Sequence, residues 1–302
     1  MIVSLLSFFF MIRHCSSLTD SRYDHQLNQS ALDSWQFAGA TWYGSPGGFG
    51  SDGGACGYGD AVGKPPYSSM VAAGNYNLFH SGEGCGACYQ VRVDDVRASV
   101  ECRPGGPDTI SNAVVVERAY PWALCWHVIR IIQVKCTNNP LCSGNAVRVT
   151  IADECPGGPC VAESVHFDLS GTAFGALALP GKANQLLSAG VLQVQYIRVP
   201  CNYGGYRMAF HVDGGSTPEY FAVVVEFEYG DGDLSGIDLK QQGSSEWVPM
   251  RHSWGAVWQF NSGGGPLRAP FSLRLTSYTS HTSIVAGGVI PADWRPGVTY
   301  YA

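Results

Sequence analysis

The eleven cysteines are the residues whose spacing points most directly to chemistry. Cys85-Gly86-Ala87-Cys88 and Cys155-Pro156-Gly157-Gly158-Pro159-Cys160 have the close spacing of metal knuckles. In a secreted chain, closely spaced cysteines are more often paired in disulfides. We therefore expect disulfides and no metal site, on condition that the chain enters an oxidising compartment.

The N-terminus indicates export into such a compartment. Residues 1–12 (MIVSLLSFFFMI) form an apolar run that is too short for a bilayer, which needs about 20 residues, but suits the core of a signal peptide. We predict a signal peptide over residues 1–17 and secretion of the remainder. Residues 18–38 are predicted to form a polar extension, in which Asn28-Gln29-Ser30 is a glycosylation sequon.

The composition excludes several classes of protein. A hydrophobic content of 45% supplies cores and excludes wholesale disorder, and a formal charge of −6 excludes a polybasic nucleic-acid binder. No stretch after the N-terminus is apolar for long enough to span a membrane. The 38 glycines, which lack a collagen-like period, favour an all-β architecture of short strands and tight turns. We expect no cofactor, no nucleic-acid or membrane partner, and a monomer.

The chain divides into two parts near residue 202. All cysteines precede this point, so disulfides can staple only the first part. Glycine-rich turns between short β-prone pieces predict a small looped barrel over residues 39–202. Regularly spaced short strands without cysteine predict a β-sandwich over residues 203–302. Tyr203-Gly204-Gly205 is the natural linker.

Residues 91–133 do not fit this pattern, because they show neither sustained alternation nor a helical period. Residues 131–136 (IIQVKC) repeat the form of residues 88–93 (CYQVRV), and joining Gln90 to Val134 would give one continuous strand and turn. We hypothesise that the stretch translates a retained intron, since Val codons begin with GT and the Gln codon CAG ends in AG. A genuine surface insertion is the alternative. A mature transcript that keeps the stretch in most copies would overturn the intron hypothesis.

A series of short motifs runs in order through the rest of the chain. They are Thr41-Trp42-Tyr43-Gly44, Gly53-Gly54-Ala55-Cys56-Gly57-Tyr58, Gly84-Cys85-Gly86-Ala87-Cys88-Tyr89, Cys142-Ser143-Gly144, residues 166–175 (HFDLSGTAFG), Gly230-Asp231-Gly232-Asp233 and Ser253-Trp254-Gly255-Ala256-Val257-Trp258. In these motifs the sequence resembles the plant expansins, specifically the β-expansins, the family that includes the group 1 grass-pollen allergens.

The resemblance implies a fold and a set of disulfides. The fold would be a six-stranded double-psi β-barrel, similar to that of family-45 endoglucanases, followed by an immunoglobulin-like β-sandwich that binds polysaccharide. The implied disulfides are Cys56–Cys85, Cys88–Cys201 and Cys136–Cys142, with Cys155–Cys160 closing an additional local loop.

The resemblance also implies a polysaccharide groove on the barrel. Asp168 stands where the related endoglucanases keep their catalytic acid, whereas Ser45 stands where they keep their base. Serine at its ordinary pKa cannot activate a water molecule, so hydrolytic turnover is disfavoured. Asp153 and Asp52 match other acidic positions of the groove and would hydrogen-bond sugar hydroxyls, although Asp52 is equally well explained as a turn residue.

Four further residues are candidates for this groove. Thr41, Trp42 and Tyr43 match the groove floor by their motif, and core packing is the alternative for the two aromatic residues. His166 is expected either to contact polysaccharide or to be buried beside its strand.

A planar binding surface on the sandwich needs exposed aromatic rings on which pyranose CH groups can stack. Tyr220 and Trp254 match the family's positions for this surface, and Ser253 accompanies Trp254. Trp258 would share a face with Trp254 in a continuous strand, where it would either extend the surface or enter the core. Trp247 is predicted to lie in the core.

The resemblance therefore implies a secreted cell-wall protein that binds cellulose and matrix glycans such as arabinoxylan and separates their hydrogen-bonded chains without hydrolysis. An endoglucanase-like glycoside hydrolase that uses Asp168 with Asp153 or Asp52 is the alternative, and an adhesive or signalling module without mechanical effect is a third.

Overall fold

A computed structural model describes residues 35–52, 54–93 and 139–302, together with the paired backbone of residues 114–115 and 128–129. The predicted signal peptide, the sequon at Asn28 and Cys136 lie outside the described residues. The strands of the first part are β1 (Gln36–Tyr43), β2 (Val71–Gly74), β3 (Cys88–Val93), β4 (Val114–Val115), β5 (Val128–Ile129), β6 (Val147–Glu154), β7 (His166–Ser170) and β8 (Leu192–Arg198). The α-helices are short: α1 (Tyr76–Phe79), α2 (Gly171–Ala176) and α3 (Ala183–Leu186). In the described part of the chain, no helix is long and apolar enough to cross a membrane.

Six of these strands close into a barrel in the order β1-β7-β2-β6-β3-β8. Alternating side chains of each strand fill the barrel, among them Ala40, Ile151 and Phe167, which are fully buried. The strand β1 begins at Gln36, ahead of the predicted start of the barrel at residue 39, because residues 36–38 pair with β8. The predicted all-β class with a six-stranded barrel is confirmed.

The strand β3 passes through the predicted boundary of the anomalous stretch. Val91 pairs with Val147 and Tyr196, and Val93 pairs with Val194, so both belong to the barrel. Val91 and Val93 are buried, whereas the Arg92 side chain donates a hydrogen bond to Gln195. Residues 134–136 (VKC) have the same order of apolar, charged and apolar side chains, so they would give the same alternation in place of residues 91–93. The anomalous stretch therefore contributes its first three residues to the barrel, and the intron hypothesis remains a prediction.

Three of the four implied disulfides are present: Cys56–Cys85, Cys88–Cys201 and Cys155–Cys160. The second joins β3 to the segment that follows β8, across a sequence separation of 113 residues. The fourth pairing cannot be compared, because Cys136 lies outside the described residues; its implied partner Cys142 is buried.

The second part contains two sheets. Its strands are β9 (Ala209–Val212), β10 (Tyr220–Glu226), β11 (Leu234–Lys240), β12 (Val248–Pro249), β13 (Arg251–Trp254), β14 (Val257–Asn261), β15 (Phe271–Ser277), β16 (Ser283–Ile290) and β17 (Thr299–Tyr301). A five-stranded sheet has the order β13-β14-β10-β9-β17, and a four-stranded sheet has the order β12-β11-β15-β16. Apolar side chains from both sheets, such as Phe221 and Leu273, form one core between them.

The five-stranded sheet is apolar on both faces. Phe221, Val223 and Val225 of β10 enter the sandwich core, whereas Ala222 and Val224 belong to the same apolar cluster as the barrel interior. Strand alternation places these two sets on opposite faces of the sheet. The barrel therefore packs against the second face. Burial on both faces explains why Val223, Val224 and Val225 interrupt the alternation of apolar and polar residues along β10.

The expected linker lies inside this junction. Tyr203 is 8% exposed, and its ring packs against Tyr67 and Phe227 at centroid distances of 5.9 and 5.6 Å. Tyr203, at the start of the predicted linker, therefore belongs to an aromatic cluster shared by the barrel and the sandwich.

Glycines and one ion pair allow the two parts to approach closely. A side chain at Gly86 or Gly232 would overlap the backbone of the other residue. Beside them, Arg198 of β8 forms an ion pair with the fully buried Asp233 at 2.7 Å. The Gly230-Asp231-Gly232-Asp233 motif thus serves the junction.

Replacing Gly255 by Ala is expected to destabilise this junction by about 2–4 kcal/mol. Gly255 has a φ of +50°, and an added methyl group would overlap the backbone of Ala55 and Cys56. Gly243 is the matched control, since its φ is +75° and an added methyl group would meet nothing within 4 Å. Gly243→Ala should cost only the left-handed strain, about 1 kcal/mol. Equal urea midpoints for the two variants would contradict close packing at Gly255.

Candidate functional site

A row of residues crosses four neighbouring strands of the barrel. Thr41 of β1 pairs with Asp168 of β7, Asp168 pairs with Ala73 of β2, and Ala73 pairs with Asp153 of β6. The two carboxylates therefore lie on either side of Ala73, two strand spacings apart, which is roughly 10 Å between backbones. The structure brings together two of the acidic residues that the sequence singled out.

Asp168 is held in a partly buried position. Its Oδ1 accepts a hydrogen bond from the Thr41 hydroxyl at 2.7 Å, and its Oδ2 lies 3.8 Å from Cys155 Sγ in the local disulfide. Burial raises the pKa of Asp168 above its ordinary value, against the lowering effects of the Thr41 hydrogen bond and the nearby His166, while Asp153 raises it further. The carboxyl group therefore keeps its proton at a higher pH than an exposed aspartate.

Asp153 is occupied by donors from its own surroundings. Its Oδ1 accepts from the backbone N–H groups of Ala55 at 2.6 Å and Glu154 at 2.8 Å, and its Oδ2 accepts from the Ser51 hydroxyl at 2.8 Å. Three donors satisfy most of the acceptor capacity of a carboxylate. Asp153 is thus suited to fixing Ser51 and Ala55 beside the end of β6.

Tyr43 extends the polar face of this row. Burial, and then the charges of Asp153 and Asp168, raise the pKa of Tyr43, so its hydroxyl stays a neutral hydrogen-bond donor. The ring packs directly on Gly50, where an added methyl group would overlap it. The glycine thus leaves room for the Tyr43 ring beside the two carboxylates.

His166 is fully buried, with both ring nitrogens in contact. Its Nε2 lies 2.9 Å from the Thr41 hydroxyl oxygen, and its Nδ1 lies 2.9 Å from Glu163 Oε2. The expectation that His166 contacts polysaccharide is corrected, because no part of its ring reaches the surface. Glu163 was missed in the sequence, since it lies in the irregular segment before β7 and nothing in its pattern distinguishes it from a surface glutamate.

The remaining barrel candidates lie around this row. Trp42 lies between Thr41 and Tyr43 on β1, so its side chain points to the opposite face of the strand. Its ring is half-buried, and its indole N–H donates to the Leu187 carbonyl at 2.8 Å. The structure therefore does not bring Trp42 together with Thr41 and Tyr43. Asp52 and Ser45 are exposed in the turn region that follows β1.

The sandwich presents its aromatic residues beside the barrel. Trp254 is 51% exposed at the end of β13, and one edge of its ring lies over Gly57 of the barrel. Tyr220 is partly buried on β10, where its hydroxyl donates to Gln259 at 2.8 Å. Ser253 is exposed next to Trp254. We call Tyr220, Ser253 and Trp254 the aromatic surface.

Trp258 and Trp247 have different surroundings from Trp254. Trp258 is 5% exposed in the sandwich core, because Gly255 and Ala256 turn the chain between β13 and β14 and the two tryptophans do not share one strand. Trp247 is half-buried, and the cations of Lys240 and Arg274 lie over its ring at 4.8 and 5.0 Å from the centroid, which corrects its predicted core position.

One segment of the barrel connects the carboxylate row to the aromatic surface. The Ala55 N–H binds Asp153, the Cys56 carbonyl accepts from the Ala256 N–H at 3.0 Å, and Gly57 lies under Trp254. The row and the aromatic surface are therefore held in fixed relation by residues 55–57. Such an arrangement can bind an extended polar polymer with CH faces for stacking.

The described residues contain one group of potential metal ligands whose atoms lie within 4.8 Å of one another: Cys155, Cys160 and Asp168. Both cysteines of this group are joined in a disulfide, so their sulfur atoms are not thiolate ligands.

Comparisons with known families match both parts of the chain. Residues 208–291 match the model described as the expansin C-terminal domain. Residues 128–196 match a double-psi barrel model whose description is lytic transglycolase.

Related proteins match over most of the chain. Expansin-B11 of Oryza sativa subsp. japonica is 50% identical over 281 residues, which cover 93% of this chain and 81% of that protein. A putative expansin-B2 of Arabidopsis thaliana is 46% identical over 290 residues, covering 96% and 89%. The crystal structure of the apo expansin of Clavibacter michiganensis has a TM-score of 0.55 at 19% identity, covering 89% of this chain and 96% of that one. A mutant of that bacterial expansin was solved in complex with cellohexaose.

Proposed function

Because the chain belongs to the expansin family, with expansin-B proteins among its relatives, we propose that it loosens plant cell walls by binding their polysaccharides without cleaving them. Cellulose and matrix glycans such as arabinoxylan are the proposed ligands, and the protein acts after secretion, as a monomer. The observation that carries the proposal is the segment at residues 55–57, which touches Asp153 on one side and Trp254 on the other. One glycan strand can thus contact barrel and sandwich together.

The acidic residues support binding over hydrolysis. An inverting glycosidase needs one protonated acid and a second carboxylate that is free to activate water. Asp168 fits the acid, but Asp153 already accepts three hydrogen bonds, and the residue proposed at the base position is Ser45. Hydrolysis remains the alternative function, favoured by the lytic description of the matching barrel model.

The aromatic surface gives the first test of this proposal. Trp254→Ala is expected to weaken binding to insoluble cellulose at least about tenfold, because removing an exposed tryptophan anchor typically costs 2 kcal/mol or more. Binding isotherms at fixed pH and salt measure the loss.

Tyr301 is the matched control for this variant. It is 50% exposed on β17, at the opposite edge of the same five-stranded sheet. Tyr301→Ala should leave the affinity within twofold. Equal losses for the two variants would mean that cellulose binds any exposed aromatic residue of this sheet, and the proposed location of the aromatic surface would be wrong.

A further inference from the structure

Four side chains form a continuous hydrogen-bonded array that ends at the carboxyl group of Asp168. Glu163 Oε2 lies 2.9 Å from His166 Nδ1, His166 Nε2 lies 2.9 Å from Thr41 Oγ1, and Thr41 Oγ1 lies 2.7 Å from Asp168 Oδ1. The His166 ring is inaccessible, whereas the Glu163 side chain is 30% exposed. The array thus runs from the protein surface through a buried imidazole to the row of carboxylates.

The Thr41 hydroxyl carries one hydrogen, and this limits the arrangements of the array. If Thr41 donates to an ionised Asp168, it accepts from His166 Nε2–H. The Nδ1 atom must then also carry a hydrogen to face an ionised Glu163, so His166 is a cation. If Thr41 instead donates to His166 Nε2, the imidazole is neutral, and Asp168 must itself be protonated to donate to Thr41.

These two arrangements contain the same number of protons. We propose that one proton is shared along Glu163, His166, Thr41 and Asp168, and that it passes between His166 and Asp168 through the Thr41 hydroxyl. When it moves, His166 gives its Nε2 proton to Thr41 Oγ1 while Thr41 gives its own proton to Asp168 Oδ1. His166 and Asp168 become neutral together, Glu163 stays ionised, and no electrons are transferred. Glu163 and His166 are positioning residues in this array.

The surroundings of Glu163 hold its carboxylate against His166. Gln193 Nε2 donates to Glu163 Oε1 at 3.2 Å, which leaves Oε2 directed at His166. Gly39 of β1 pairs with His166, and an added methyl group there would overlap the Glu163 carboxylate. A glycine at residue 39 is therefore required for this pair to form.

Other titratable groups face Asp168 but do not join the array. The charge of Asp153 on β6 raises the pKa of Asp168, and the charge of Asp168 in turn raises the pKa of Tyr43 on β1. Cys155 touches Asp168 Oδ2, but its sulfur lies in a disulfide and does not titrate. Proton exchange along the array is therefore separable from the influence of these neighbours by changing Thr41 alone.

The test is a pH titration of the full chain by NMR, following the Asp168 carboxyl carbon and the His166 ring nitrogens. Both signals are expected to change at the same pH midpoints, because groups that share a proton titrate as a unit. Thr41→Val should give each signal its own midpoint, and Thr41→Ser should restore the shared ones. Separate midpoints in the unmodified protein, or shared midpoints that survive in Thr41→Val, would overturn the proposal.

A second variant tests the far end of the array. Glu163→Gln removes the anion that holds the His166 cation, so the Asp168 midpoint is expected to rise by about one pH unit. Glu154→Gln, which removes an equal charge from β6 without touching the array, should not raise it. An unchanged Asp168 midpoint in Glu163→Gln would contradict the shared proton.

The expected effect on wall creep rests on the proposed function. The shared proton and the proposed function can fail separately. If the array sets the protonation of Asp168, the pH profile of creep shifts in Glu163→Gln by the amount that NMR shows. If the Asp168 midpoint shifts in Glu163→Gln but the pH profile of creep does not, the shared proton is supported and the role of Asp168 in wall loosening is contradicted. A shifted creep profile without a shifted midpoint overturns the array alone.

Discussion

Asp168→Ala is expected to reduce acid-induced extension of isolated cell walls by about 10- to 100-fold, because leaving buried hydrogen-bonding groups without a partner costs about 1–3 kcal/mol. Burial raises the pKa of Asp168, and this carboxyl group lies in the row that would contact the proposed glycan strand. The substitution removes every hydrogen bond that this side chain can offer. Creep measured on heat-inactivated walls under constant load reports the loss.

Asp168→Asn separates binding from proton transfer. The amide can donate to the Thr41 hydroxyl and offer its oxygen to the glycan, as the protonated aspartate of the array does, but it cannot release a proton. We expect this variant to keep creep within about threefold at acid pH, since each neutral hydrogen bond of the protonated aspartate is replaced by another neutral hydrogen bond, and such bonds contribute only about 0.5–1.5 kcal/mol each. Its creep should also lose its decline toward neutral pH. An inactive Asp168→Asn alongside a folded protein would instead indicate acid catalysis.

The free energy of unfolding is expected to fall as the pH rises from about 4.5 to about 7. Burial raises the pKa of Glu226 to about 7, with a further contribution from Asp60. Burial also raises the pKa of Glu228 to about 7, although a backbone hydrogen bond from Gly232 opposes the shift. In the unfolded chain both groups return to their ordinary value of 4.5.

The sign follows from proton binding. A carboxyl group whose pKa is higher in the folded state binds its proton more tightly there, so its stabilising effect is complete below pH 4.5 and is lost as the pH passes about 7. A shift of this size corresponds to about 3 kcal/mol for each glutamate. Urea unfolding at pH 4 and pH 8 should therefore differ by several kcal/mol, with the protein more stable in acid.

Substitutions test whether Glu226 and Glu228 cause this pH dependence of the free energy of unfolding. Glu226→Gln and Glu228→Gln should each remove about half of the difference, because glutamine keeps the shape of the protonated acid. The exposed Glu246 supplies the control, and Glu246→Gln should leave the difference intact. Equal free energies of unfolding at pH 4 and pH 8 in the unmodified protein would contradict the prediction, because ionisation of Glu226 and Glu228 would then not destabilise the folded state.

Glycine-bounded β-prone segments of the sequence predicted a looped barrel followed by a sandwich. The six strands of the barrel, and the roles of Thr41, Asp153, Asp168 and Trp254, were implied by the resemblance to the expansins. These positions lie on regular strands or at their ends, where alternation and register decide what each side chain faces.

The features that were not predicted depend on contacts between distant segments. Glu163 joins His166 and Thr41 only after the segment before β7 folds against β1. Tyr203 packs against Tyr67 and Phe227 only once the barrel and the sandwich meet, and a single sequence does not show this contact. Trp258 enters the core since a glycine turn separates it from Trp254, which cancels the spacing argument for a shared face.

Wall loosening without bond cleavage is the central proposal for this protein, and parallel measurements on the same wall strips test it most directly. Creep and newly formed reducing ends would be recorded together over a single extension, with a known endoglucanase as the reference. We predict extension with no more reducing ends than the buffer control releases. Reducing ends that accumulate in proportion to extension, and that disappear in Asp168→Asn, would contradict it.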